Sequence, residues 1–330
     1  MLPLWLTYTE KISIEKKSMI FDFNGGTETV KIRDIHSIMF YGTVCDLSQK
    51  FLEQCAVSKI PIVIHRRNMT QGVWIQPSIT SNREDVLSKQ ILFRENKKKC
   101  SYITKRLLLA KFESMKWLLP PPYHDFRNMT NIQEMRLVEA WHAKKYWELY
   151  YSLANQKNNT RRGENSLSAC LDAASKFISG VLLRWICFHH LSPNHGFTHI
   201  PTDYPALVYD LMEPFRGYVD KVVFDTYQQL KPNAKKNKMP IIFASLKNAL
   251  NSTVYVHATR QTATFQELYH GLVLALRSYL LGNKRFIVPM INKPKGGRPI
   301  KAGYNLYGRK AGIIDCWSDA KEVTKKSLFL

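Results

Sequence analysis

The spacing of apolar residues changes period once along this chain, and that change constrains the fold more than any other feature. Up to residue 78 the apolar residues fall in short β-branched or aromatic runs: LWLTYT, KISIE, SMIFDF, TVKIRDI, SIMFYG, IPIVIHR and GVWIQP, separated by turn residues. Asn24-Gly25-Gly26 suits a hairpin turn between two of them. One helix is expected among the strands, DLSQKFLEQCAVS, with Asp46 as its cap. From residue 85 the apolar residues recur at three- and four-residue spacing, which predicts helices over 85–119, 131–155, 165–190, 204–230 and 240–282. Pro120-Pro121-Pro122 ends the first of these. The expected fold is therefore α+β in two domains. A small N-terminal β-domain of short strands and one helix (1–78) leads through a linker (79–84) to a larger all-α C-terminal domain (85–282). A basic, irregular and mobile arm (283–330) follows.

With 330 residues, 45% of them hydrophobic, the chain has material for two cores. No run of 18 uninterrupted apolar residues predicts a transmembrane helix, and the N-terminus lacks the basic start and apolar centre of a signal peptide. A cytosolic protein without a membrane partner is expected. The six cysteines (45, 55, 100, 170, 187, 316) are never closer than ten positions, which predicts reduced, buried thiols rather than a disulfide framework.

Charge is the informative part of the composition. Lys and Arg number 48 against 26 Asp and Glu, a net charge of +22, of which residues 1–78 carry only +2. Basic clusters fall at Lys97-Lys98-Lys99 with Lys105-Arg106, at Arg161-Arg162 and at Lys235-Lys236 with Lys238; the last 48 residues hold eleven basic and three acidic residues. An excess placed this way is the footprint of a polyanion. Nucleic acid fits better than a membrane surface, because no strongly amphipathic basic helix accompanies the charge. The nearly neutral β-domain is expected to hold subunits together or to place the second domain.

Two stretches carry chemistry. The first is LSPNHGFTHIPTDYPALVYDLMEPFR (191–216), where Gly and Pro break regular structure around His199. A helix is expected after Asp203 as cap, with Pro205 in its first turn. Asp210 and Glu213, three apart, share a face of it, and Pro214 ends or kinks it. Two acids at a helix break beside a histidine can hold a divalent ion; the same spacing also suits a solvated face. The second is NIQEMRLVEAWHAKKYWELYY (131–151), which opens with Asn131 and Glu134 at capping-box spacing. Glu139 lies there among Val138, Trp141, Ala143, Tyr146 and Trp147, either pointing outward or facing a polar cavity; facing inward, it needs a metal or cation for company. Cys187, His189, His190, His195 and His199 hint at zinc, but a structural zinc site usually has paired cysteines.

Glu139-Ala140, Ala143 and Tyr146-Trp147 resemble the EAxxAxxYW segment of the CRISPR-associated integrase of the spacer-acquisition module, the first-numbered family of Cas proteins. Leu191-Ser192-Pro193 through Gly196-Phe197 and His199 resembles the family's GLDPxxGFLH, and Asp210-Leu211-Met212-Glu213-Pro214-Phe215-Arg216 its DLMExFR. The chain departs from the family where His190-Leu191-Ser192-Pro193 replaces Gly-Leu-Asp-Pro, and where Ser168 stands at an expected Asn. The resemblance implies an integrase that inserts short DNA duplexes (prespacers) at the repeat boundaries of a CRISPR array, by direct attack of a DNA 3′-hydroxyl. It implies Glu139, His199 and Glu213 as ligands of Mg²⁺ or Mn²⁺, and Asp210 as an auxiliary acid or alternate ligand. Arg161, Arg162 and Arg216 are the candidate DNA-phosphate contacts. The partners implied are double-stranded DNA (the prespacer and the leader–repeat), a second copy through the β-domain, a dimer of dimers, and a small ferredoxin-fold companion protein. Other readings are a metal-dependent, structure-selective DNA endonuclease and a non-catalytic DNA-binding scaffold.

Overall fold

Period-two alternation over the first 78 residues builds one mixed sheet. The computed structural model describes the whole chain except residues 66–71, 78–84, 127, 157–160, 162–164, 202, 231–237, 292–305 and 307–330. Strands β1 (Leu2–Glu15), β2 (Ser18–Phe23), β3 (Gly26–Lys31), β4 (Ile35–Val44), β5 (Ile62–His65) and β6 (Val73–Ile75) lie in the order β3-β2-β1-β4-β5-β6. The β1–β4 and β4–β5 pairs are parallel and the others antiparallel. LWLTYT and KISIE, expected as two strands, are one. The register slips between Thr9 and Lys11, and Tyr8 takes a φ of 47°, so a bulge bends the strand without ending it. Helix α1 (Gln49–Val57) is capped by Ser48 rather than Asp46, its hydroxyl accepting from the Phe51 N–H at 3.3 Å. Alternation then sorts β4: Ile38 and Phe40 pack towards α1 with Phe21, Phe51 and Ile62, while Met39 joins Val63 in the core of the helical half.

The helical half contains α2 (Val86–Glu95), α3 (Lys97–Met115), α4 (Tyr123–Phe126), α5 (Ile132–Leu153), α6 (Ser166–Phe188), α7 (Ala206–Met212), α8 (Arg216–Gln229), α9 (Met239–Asn251) and α10 (Phe265–Leu280). Three expected helices are interrupted. The first breaks at Asn96, whose side chain caps α3 by accepting from Lys99 N at 3.1 Å. The fourth begins only after Pro205, because the residue before a proline disfavours helical backbone; Asp203 is not its cap. Pro214 then turns it through a 3-10 segment, Glu213–Phe215, before α8. The last is split by a two-stranded hairpin, β7 (Thr253–Val256) and β8 (Gln261–Thr264), so the second domain is mostly rather than wholly helical. The expected linker lies outside the described residues, as does the arm beyond residue 291 apart from Leu306.

Helix α6 joins the two halves. By length and composition it could cross a membrane, yet 72% of its apolar window is buried inside the protein, which makes it the central core helix. A Cβ on Gly180 would lie 3.3 Å from Val63 and 3.4 Å from Ser37, so the helix packs closely on the sheet. Arg184 pins it there, donating to the carbonyls of His36 at 2.9 Å and Lys59 at 3.0 Å.

Candidate active site

The site is assembled around one misfit in a helix. On α3 the buried residues Cys100, Ile103, Thr104, Leu107, Lys111 and Ser114 form a stripe at helical spacing, so Lys111 occupies a position that the pattern reserves for an apolar side chain. The stripe packs against the 3-10 segment and the start of α8, where the backbones nearly touch. A Cβ on Gly217 would stand 2.7 Å from Met115 N and closer still to the Ser114 carbonyl. Gly217 N also donates to Ser114 Oγ at 3.1 Å, and Trp117 Nε1 to Gly217 O at 3.0 Å. This approach sets the Lys111 ammonium beside Glu213.

Glu139, from α5, reaches the same ammonium. Lys111 Nζ donates to Glu139 Oε1 and lies 2.5 Å from Glu213 Oε2. Glu139 therefore faces inward. Burial disfavours the Lys111 charge, but Glu213 and then Glu139 outweigh it and raise the pKa. Burial likewise disfavours the Glu213 carboxylate, yet Lys111 and Arg216 hold it down at about 2. Arg216 Nη1 meets Glu213 Oε1 at 3.1 Å, and its Nε lies 3.9 Å from Asp220 Oδ2. For Asp220 burial wins over Arg216, and its carboxyl rises to about 6.

His199 stands on the loop before α7, held by Asp210. That carboxylate accepts from the backbone N–H groups of Phe197 (2.5 Å), Thr198 (3.0 Å) and His199 (3.1 Å), and from His199 Nδ1 at 2.6 Å. Gly196 permits the loop to close, since a Cβ there would lie 2.6 Å from His199 O and 2.8 Å from Asp210 Oδ2. Asp210 is thus turned into the loop as the group that orients the imidazole. With Nδ1–H committed to Asp210, the neutral ring keeps the Nε2 lone pair for another partner. Burial lowers the imidazole pKa, but the hydrogen bond and charge of Asp210, helped by Glu213, leave it raised.

A cleft of about 440 Å³ opens on this cluster, lined by Lys111, Glu139, Trp147, Arg161, Glu213 and Arg216 among others. Arg161 and Arg216 both lie over the Trp147 ring, at 5.5 and 5.8 Å, and Arg161 pairs with Asp172 at 2.7 Å. Arg162 lies outside the described residues. The zinc candidates are dispersed. His189 stacks on His270, His195 bonds Ser192, His199 bonds Asp210, and Cys187 is buried. Among the described residues no three His, Cys, Asp or Glu side chains are gathered as a ligand group; the Lys111 ammonium stands between the two glutamates instead. The donors still suit a divalent ion. Glu213 Oε2 is buried and lies 2.5 Å from the Lys111 ammonium, so a cation is the partner this oxygen already takes. Carboxylates with one imidazole match Mg²⁺ or Mn²⁺.

Sequence pattern pointed to Glu139, His199, Asp210, Glu213 and Arg216 but not to Lys111, Gly217 or Asp220. The signal available for Lys111 was its place in the α3 stripe.

The family model described as CRISPR associated protein Cas1 matches residues 4–254. A curated relative, the CRISPR-associated endonuclease Cas1 2 of Pyrobaculum aerophilum, is 28% identical over 100 residues, spanning 30% of this chain and about a third (34%) of that protein's length. A CAS1 protein from Thermotoga maritima has a TM-score of 0.74 at 18% identity, over 87% of this chain and 99% of that one. A casposase bound to its integration product has a TM-score of 0.75 at 17% identity, over 99% of this chain and 100% of that one. At these identities the two structures establish the likeness of fold.

Proposed function

This chain belongs to the CRISPR-associated Cas1 family, and from that premise we propose that it is a metal-dependent DNA integrase that inserts prespacer duplexes into a CRISPR array. The observation that carries the reading is the convergence of Glu139 and Glu213, from separate elements, on one buried cation in a cleft lined by charged side chains, with the imidazole that Asp210 orients near enough to feel the charge of Glu213. Glu139, Glu213 and His199 Nε2 would hold Mg²⁺ or Mn²⁺, which when bound neutralises charge on the attacked phosphate and helps activate the DNA 3′-hydroxyl. Asp210 positions His199 and keeps its Nε2 available. Arg216 and Arg161, both over the Trp147 ring, would offer charge-assisted hydrogen bonds to backbone phosphates. Attack by the 3′-hydroxyl of the incoming strand expels the 3′-oxygen of the target strand, so one phosphodiester is exchanged for another without a protein nucleophile.

The partners proposed are the prespacer and leader–repeat DNA, a second copy through the nearly neutral β-domain, a dimer of dimers, and the small ferredoxin-fold companion. The integration product bound by the casposase of like fold and the +22 net charge of this chain support the DNA part. A cytoplasmic setting belongs to the same proposal. The endonuclease name of the Pyrobaculum relative supports a second reading, in which water replaces the 3′-hydroxyl at the same site.

Full-length protein with Mg²⁺ or Mn²⁺, a labelled duplex and a supercoiled leader–repeat plasmid tests this, with and without the companion. Strand joining is expected, and Glu139→Ala, His199→Ala and Glu213→Ala should each abolish it while DNA binding persists. Nicking without joining selects the endonuclease. Undiminished joining by His199→Ala overturns the site assignment.

A further inference from the structure

Lys111 is the group in this site that the chemistry above leaves unused. It is a buried cation at a core position of α3, and it contacts the two carboxylates proposed as metal ligands, Glu139 and Glu213. An ammonium and a divalent ion cannot both occupy the space between those oxygens, since each would be the other's nearest like charge. We propose, on the basis of the metal-dependent reading above, that Lys111 is a resident occupant of the metal position, and that a divalent ion enters only as the ammonium withdraws.

The surroundings say where the ammonium can go. Besides Glu139 and Glu213, the anion lining the cleft is Asp172, which is already paired with Arg161 at 2.7 Å; the remaining charges there, Arg161 and Arg216, are cationic. Once displaced, the Lys111 ammonium therefore lacks a free carboxylate within the cleft. A phosphate of DNA lying in the cleft would supply the missing anion at the end of a side chain with four-carbon reach. Metal and DNA then favour each other's binding through the same lysine, and the coupling is reciprocal. Without DNA the site stays closed on its own counter-ion, and Glu139 and Glu213 are kept apart from adventitious cations.

The test is Mn²⁺ binding to the full chain, read by electron paramagnetic resonance of free Mn²⁺, with and without a short DNA duplex. If the position is open in about a tenth of molecules, removing its occupant tightens binding about tenfold. Lys111→Met should therefore bind Mn²⁺ about tenfold more tightly than the natural protein without DNA, and the duplex should tighten binding to the natural protein much more than to the variant. Equal or weaker binding by a natively folded Lys111→Met overturns the proposal. The variant leaves the half-buried Glu139 without its ammonium and the buried Glu213 with Arg216 alone, so a second measurement uses the natural protein alone. Acylation of Lys111 by an N-hydroxysuccinimide ester, read by peptide mass spectrometry, should rise on saturation with Mn²⁺. Unchanged labelling also overturns the proposal. A natural protein and Glu139→Gln that both fail to bind Mn²⁺, while Lys111→Met binds it, would support the resident lysine. Failure of all three to bind would instead remove the metal-dependent reading on which it rests.

Discussion

Asp210→Asn is the substitution that separates orientation from ligation at this site. The carboxylate receives two donors on each oxygen: Phe197 N and Thr198 N on Oδ2, His199 N and His199 Nδ1 on Oδ1. Asparagine keeps the shape but turns one oxygen into an NH₂ group: in the Oδ1 place it faces one backbone donor and a ring nitrogen that can turn acceptor, and in the Oδ2 place it faces two backbone donors. Each buried donor left unsatisfied costs about 1–3 kcal/mol, giving about 2–6 kcal/mol for the pair before relaxation of the loop. Taking ~3 kcal/mol and an unfolding entropy near 2 cal/mol/K per residue, the melting temperature falls by about 4 °C for a chain of this length. If the amide nitrogen faces the ring, it also forces the imidazole proton onto Nε2, the atom proposed to meet the metal.

The pH dependence follows from the same geometry. His199 is raised above 6.5 because Asp210 and Glu213 outweigh its burial. A raised histidine contributes stability that is complete below 6.5 and is lost as the pH climbs through its folded value. The gap between natural and variant protein should therefore be widest near pH ~6 and narrower near pH ~9, where only the unsatisfied donors remain. Differential scanning fluorimetry across pH measures it, and strand joining reads the tautomer. A melting temperature within about 1 °C of the natural protein at pH ~6, with joining intact, would refute the claim that this carboxylate holds the loop and ring.

Gly217→Ala should cost at least about 2 kcal/mol, because its Cβ meets backbone rather than a side chain that can move aside; unchanged urea unfolding would count against the close α3–α8 approach. Asp220→Asn tests the carboxyl that burial lifts to about 6. That lift makes the natural protein lose stability as pH rises from 3.8 through about 6, so the variant should match it near pH ~4 and gain on it near pH ~8; the opposite trend would mean that Arg216 dominates. Arg161→Ala should weaken binding of any duplex and lower the slope of log affinity against log salt by about 1, as a phosphate contact does; an unchanged slope would place Arg161 in a purely structural pair with Asp172.

Much of this fold was legible because its elements obey one period each. The strand runs of 1–78 and the uninterrupted apolar faces of α5 and α6 were read within a few residues of their ends. Boundaries failed where a side-chain cap or a proline acts locally, at Ser48, Asn96 and Pro205, since spacing carries no information on which neighbour satisfies the first N–H groups. The hairpin of β7 and β8 was missed because the apolar residues on its two sides keep helical spacing, as α9 and α10 do. At the site, motif likeness brought out Glu139, His199 and Glu213. It named Asp210 as an auxiliary acid or alternate ligand but not the four donors that this carboxylate accepts from, since hydrogen-bond partners of this kind depend on a loop's path rather than on residue spacing.

The charges around the cleft give the strongest reason to regard it as a site. Lys111, Glu213, Arg216 and Asp220 are buried or nearly so, contiguous, and drawn from three elements. Paired charges of this kind contribute little net stability, because the desolvation of each ion offsets most of the attraction, and an apolar set of equal volume is often as stable or more so. The α3 stripe shows that such a set was available: Leu107 precedes Lys111 by one turn and Met115 follows by one. Asp220 goes further, since burial outweighs its arginine and leaves the carboxyl raised. An arrangement that folding energetics disfavours, placed in a cleft lined by three cationic and three anionic side chains, is accounted for by a charged ligand that completes it. The order in which that ligand's parts arrive then depends on Lys111: removing this one ammonium should loosen the dependence of metal binding on DNA while leaving Glu139, Glu213 and His199 where they are.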